Sequence, residues 1–232
     1  MDKYEVPFIH FQKFVQETGY VTTAEKLKKS YSFVLRRHLP LSWENPWPKE
    51  KKIPIDPWAP VNHIGYQDAL AYAKWAGATL PTEAQWERAA KGDGYRKYPW
   101  GQEKPLLEGV ARANFGPDPL DKDGFYYLAP IGSYEAGASP YGVMDMAGNV
   151  YEWCLDGWEE KAYLLFAQKT KKNSIIRNPI TSPRNKKRFV LRGGSWISSS
   201  KNLRCTFRSS APIYQTADNM GFRLVVNGVS KD

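Results

Sequence analysis

The chain has 232 residues, a formal net charge of +9 and a sequence pI near 9.4. No run of about 18 apolar residues occurs, so no membrane-spanning helix is expected, and two cysteines cannot build the framework of a disulfide-dense secreted domain. The positive excess sits in local runs (Lys26 to Lys29, Lys49 to Lys52, Lys169 to Lys172, Arg184 to Arg188) with no nucleic-acid motif beside them. Nucleic acid is therefore not an expected partner, and the runs read as solvated loops or as a face for an acidic protein surface.

Nine Trp and fourteen Tyr, combined with eighteen Gly and seventeen Pro, predict short elements joined by long, shaped loops. No linker of distinct composition divides the chain, so residues 1–232 are read as one domain. The opening MDKYEVPFIHF has no apolar segment behind a basic one, which as written points to a cytoplasmic chain.

In chain order, Phe8, Phe11 and Phe14-Val15 fall at helical spacing and predict a helix over Val6–Thr18 with Gly19 as its stop. Thr22-Thr23-Ala24-Glu25 has capping-box spacing and predicts a second, short helix. From His38 to Pro60 the chain is dense in Pro and Trp and reads as a loop, because proline blocks helix and inner strand. In GYQDALAYAKWAG, Ala69, Leu70, Ala73 and Ala76 share one face, with Gly77 as the stop. Another helix follows Thr82 as N-cap, with Gln85 at the capping-box position. Beyond Gly92 the chain is loop-like, and Phe189–Arg192 and Phe222–Val226 read as strands.

One stretch fits neither period. Tyr141–Trp158, YGVMDMAGNVYEWCLDGW, sets Asp145, Gly148, Asn149 and Glu152 among apolar and aromatic residues, a composition suited to wrapping something polar.

Taken with LPTEAQWERAAKG, YPWG, LRGGSW and NMGFRLV, in this order, that stretch resembles the formylglycine-generating enzyme family, or sulfatase-modifying-factor domains. The resemblance covers nearly the whole chain. It implies a single α+β, loop-rich domain with a C-type-lectin-like topology. Family members carry further residues ahead of the DKYEV-like segment, including N-terminal strands that this chain lacks; a Met1 that is not the natural start would alter the reading of compartment.

The resemblance also implies structural calcium. Calcium takes six to eight oxygens from carboxylates and backbone carbonyls. Asp145 and Glu152 match the carboxylate ligands of one family site, with Gly148 and Val150 presenting carbonyls. Asn114, Phe115, Asp123 and Phe125 match a second. From the residues alone, the first is equally a turn whose acids cap nearby amides, and the second an ordinary Asp-Gly turn.

Catalysis is implied to be absent. Active family members hold Cu(I) on two cysteines after the GGS-aromatic motif and, with dioxygen, convert a sulfatase cysteine to formylglycine. A soft ion of this kind selects thiolates. Here Arg192-Gly193-Gly194-Ser195-Trp196 is followed by Ile197 and then Ser198 in the place of the first cysteine, and the loop is too short to offer the second. Cys154 and Cys205 stand at positions the family does not use for copper, so no copper is expected. His10, His38 and His63 are scattered without metal spacing, unlike the three-histidine iron site of related sulfoxide synthases.

The segment between GGSW and GFR, where relatives bind substrate or ligand, offers Ser198, Ser199, Ser200, Asn202, Ile213, Tyr214 and Gln215 as a candidate partner surface. Arg204, Arg208 and Asp218-Asn219 read as framework pairs. The expected function is a non-catalytic, calcium-stiffened protein-binding or accessory subunit. The alternatives are a metal-dependent oxidoreductase of unassigned substrate and a ligand-binding variable protein of the retroelement type.

Overall fold

The computed structural model describes residues 1–116, 123–169, 176 and 178–226. Capping chemistry sets the ends of the helices. Helix α1, Phe8–Thr18, stops at Gly19, whose φ of 63° lies in the left-handed region that glycine enters without cost. Helix α2, Thr23–Leu27, begins with a complete capping box between Thr22 and Glu25. A hairpin of β1, Ser30–Ser32, and β2, Arg37–Leu39, follows. Helix α3 runs Tyr66–Trp75, and α4, Glu83–Lys91, starts on the expected Thr82–Gln85 box. A minimal hairpin of β3, Leu106–Leu107, and β4, Val110–Ala111, leads into the loop region.

The remaining elements are β5, Tyr151–Gly157; α5, Ala162–Lys169; β6, Arg188–Arg192; β7, Ser209–Pro212; and β8, Met220–Gly221. The four strands form one sheet in the order β7-β6-β5-β8. Strand β5 is antiparallel to β6, with Glu152 opposite Arg192, and parallel to β8, with Glu152 opposite Gly221. The main core packs Phe11, Phe14, Trp43, Ile64, Trp153 and Phe222 between α1, α3 and this sheet. Full burial of each such side chain contributes about 1.5–3 kcal/mol.

The mixture of short helices, short strands and long loops is the expected α+β, loop-rich class. Two local readings need correction. Tyr141–Trp158 is not one wrapped loop, because from Tyr151 onward it is the central strand. The terminal strand is only Met220–Gly221; Phe222 and Leu224 go into the core, and Val225 keeps a single bridge to Thr79. The Pro- and Trp-rich segment is irregular apart from the end of β2 and a 3-10 turn at Lys49–Lys51. Lys171 and Lys172 lie outside the described residues.

Candidate functional site

Beside β5 the chain builds a buried charge centre. Arg223 donates from Nε to Glu152 Oε2 and from Nη2 to Glu152 Oε1, both at 2.7 Å, and neither side chain is exposed. Trp86 Nε1 adds a third donor to Glu152 Oε2 at 2.8 Å. Arg223 Nη2 also reaches the Met144 carbonyl at 2.9 Å. Two further carboxylates face this centre. Burial, then the nearby Asp145 and Glu152 carboxylates, holds Glu5 well above the usual carboxylate range. Burial, opposed by a bond from the Gly132 amide and by Arg223, pushes Asp145 up to about 6.

The loop before β5 is held by Asn149. Its Nδ2 donates to Glu5 Oε2 at 2.9 Å, and its Oδ1 accepts from Asn114 Nδ2 at 3.0 Å and from the Ala129 amide at 3.1 Å. Gly148 is required beside it, because a Cβ there would meet the Asn114 carbonyl oxygen at 2.1 Å. Asp145 and Asn149 have φ of 56° and 57°, left-handed conformations that short polar side chains tolerate best after glycine.

The two expected calcium sets therefore lie against each other through Gly148 and Asn114. Around Asp145, Gly148, Val150 and Glu152, the two Glu152 oxygens already accept bonds from Arg223 and Trp86, and Asp145 Oδ2 accepts from the Gly132 amide, so a hard divalent cation there would have to share or displace those bonds. Among the described residues no three acidic, imidazole or thiol side chains converge on a metal position, so such an ion would rely on backbone carbonyls. In the second set, Asp123 accepts from the Phe115 amide at 2.5 Å and the Phe125 amide at 3.3 Å. That is the amide-capping geometry of an Asp-Gly turn, and an ion there would have to displace those bonds.

At the position where the sequence resemblance led to an expectation of a copper-binding thiol, the hydroxyls turn inward. Ser198 is buried; its Oγ accepts from the Ser195 amide at 3.0 Å and lies 3.3 Å from Ser195 Oγ. Asn219 Nδ2 donates to Ser195 Oγ at 3.1 Å. Both cysteines are free and buried. Burial raises the Cys154 thiol well above its usual range and pushes Cys205 up to about 12, so neither is a ready thiolate.

The candidate partner surface is divided. Ser198 does not belong to it, because its side chain is turned into the protein. Ser199 is exposed and Ser200 and Asn202 are half-buried on a 3-10 turn anchored by Leu203, which packs with Tyr98 and Ala147. Ile213 and Gln215 are half-buried and Tyr214 is 64% exposed; Tyr214 and Gln215 line a cavity beside Ser30 and His38 of the first hairpin. Arg208 is a framework residue, donating to both oxygens of Glu83 at 2.7 and 2.8 Å. His63 is a satisfied core residue between Ser30 Oγ at 2.6 Å and the Pro46 carbonyl at 2.8 Å.

Sequence reading missed Glu5 and Arg223 as members of the site, and it singled out Asn149 without giving it a role. DKYEV and GFRLV stood out only as motifs, and nothing local tied Glu5 or Arg223 to Asn149 or Glu152.

Fold and site together define a loop-rich α+β domain with a buried carboxylate–guanidinium centre under its sheet. A family model for the sulfatase-modifying factor enzyme 1-like domain matches residues 1–228, and the chain belongs to that family. It is 33% identical to the formylglycine-generating enzyme of Mus musculus over 96% of this chain, and spans 64% of that relative's length. It is 38% identical to the hercynine oxygenase of Mycolicibacterium thermoresistibile over 67% of this chain and 33% of the relative. It is also 30% identical to the inactive C-alpha-formylglycine-generating enzyme 2 of Mus musculus, over 96% of this chain and 73% of the relative. The solved structure of PvdO from Pseudomonas aeruginosa shares the fold, with a TM-score of 0.73 at 21% identity over 96% of this chain and 77% of that one.

Proposed function

We propose that this chain is a non-catalytic member of the family, a protein-binding or accessory subunit on a scaffold that calcium stiffens. One observation carries the reading. Ser198 stands where the relatives' chemistry requires a thiolate, its hydroxyl is spent on Ser195, and both cysteines are buried with raised pKa values. A hydroxyl cannot replace a thiolate on Cu(I). The murine relative named as inactive supports the reading, since an inactive form exists within the same family.

Calcium belongs to the proposal through the charge count around Arg223. Bound at Asp145, Gly148, Val150 and Glu152, it would offset the excess of carboxylates over the single Arg223 guanidinium. The second ion, at Asn114, Phe115, Asp123 and Phe125, is a weaker part of the same proposal. The partner is a protein with an acidic surface, because the exposed lysine runs give the chain its positive excess.

The similarity to hercynine oxygenase favours a second reading, an oxidoreductase that completes a metal site with groups from elsewhere. Elemental analysis after exhaustive dialysis separates the two. Calcium alone supports the scaffold, whereas stoichiometric iron or copper supports the enzyme.

A further inference from the structure

An aromatic groove lies on the other face of Tyr127, whose ring also packs on Trp196. A cavity of about 260 Å³ is lined by Trp47, Ile53, Ile55, Phe125, Tyr126 and Tyr127, and much of the rest of its wall is proline. Tyr126 is 57% and Ile55 41% exposed, so the apolar lining continues onto the surface. Tyr127 packs between Trp47 and Trp196, at ring-centroid distances of 5.1 and 5.5 Å. Among the described residues, the Trp47 indole N–H and the Tyr126 and Tyr127 hydroxyls have no hydrogen-bond partner.

Trp47 also forms one wall of a second cavity, of about 430 Å³, whose other side carries Lys49 and Glu50. Lys49, Lys51 and Lys52 are exposed and, among the described residues, have no ion pair. Lys49 shares the second cavity with Trp47, and Lys51 and Lys52 follow it on the chain before Ile53, whereas the charged residue lining the groove itself is Asp56, at its Ile55 side.

We infer that this groove binds an extended, proline-bearing peptide segment with acidic residues at one end, supplied by a partner protein. Aromatic grooves with free N–H and O–H donors take polyproline II segments well, because the segment is already ordered and its carbonyls point outward. Acidic residues at the Trp47 end would meet Lys49, Lys51 and Lys52. The inference rests on the reading of the chain as a binding protein and names the chemistry of what it binds.

The test uses the full chain and two synthetic peptides, Asp-Glu-Pro-Pro-Leu-Pro-Pro and its analogue with Lys-Lys in place of Asp-Glu, titrated while tryptophan fluorescence is followed. The acidic peptide is expected to bind saturably below about 1 mM, with an affinity that falls as salt rises. The basic analogue is expected to bind at least about tenfold more weakly. Tyr126→Ala is expected to weaken the acidic peptide about tenfold at unchanged melting temperature, while Tyr95→Ala, 91% exposed elsewhere, leaves binding as it was. Equal affinity for both peptides, no saturable binding, or no effect of Tyr126→Ala would overturn the inference. A formylglycine assay run alongside keeps the two claims apart: negative product with no peptide binding refutes the groove and leaves the non-catalytic reading standing.

Discussion

Glu152, on the central strand, and Arg223, just past the last one, form a bidentate ion pair with no exposure to solvent. Breaking such a pair leaves a lone charge in a dry site and costs about 3–5 kcal/mol. Arg223→Met is expected to lose about that much in urea unfolding. Glu152→Gln combined with Arg223→Met is expected to recover part of the loss, because the Glu152 charge is no longer left unpaired, while Glu5 and Asp145 keep the recovery incomplete. Equal destabilisation by the single and double variants would contradict the assignment.

A pH dependence follows from Asp218. Burial pushes its carboxyl up to about 7 from 3.8, against the bonds it accepts from the Phe33 and Val34 amides. The folded state therefore holds this proton more tightly than the unfolded chain does. The stabilising contribution is complete below about pH 4, where both states are protonated, and is lost as pH rises through about 7. Asp218→Asn is expected to exceed the parent in stability at pH 8 by on the order of 2 kcal/mol, with the gap closing towards pH 4. A gap that widens on acidification would refute this sign.

The thiols give a chemical check. With both cysteines buried and their pKa values raised, iodoacetamide at pH 8 is expected to leave Cys154 and Cys205 unmodified in the native protein and to label both in guanidinium. Rapid native labelling of either, read by intact mass, would expose a thiolate the structure does not show.

Calcium is tested by thermal unfolding. A ligand bound only by the folded state raises the melting temperature by mass action, so millimolar calcium is expected to raise it. Asp145→Ala should abolish the rise, and Asp145→Asn, which keeps an oxygen and tolerates the left-handed φ of 56°, should retain part of it. An unchanged melting temperature in the parent protein would remove calcium from the account.

What the sequence made legible was local. The Thr22 and Thr82 capping boxes and the Gly19 stop are encoded within a few residues, and the helices they bound appear as read. Strand β5 was not legible, because most of its residues are buried on both faces and no alternation survives. Phe222–Val226 looked like a strand through its apolar content, yet Phe222 and Leu224 fill the core and Val225 keeps only a single bridge to Thr79. The centre at Glu152 was half legible: Asp145 and Glu152 stood in a motif, whereas Glu5 and Arg223 join it through contacts that only the folded chain creates.

The central claim, proposed above, is that this chain is a non-catalytic member of its family, with Ser198 in place of a thiol. Its most direct test is to incubate the protein with copper, dioxygen and a sulfatase-motif peptide and to read the peptide cysteine by mass spectrometry. The account predicts that the cysteine remains intact; conversion of that residue to formylglycine would contradict it.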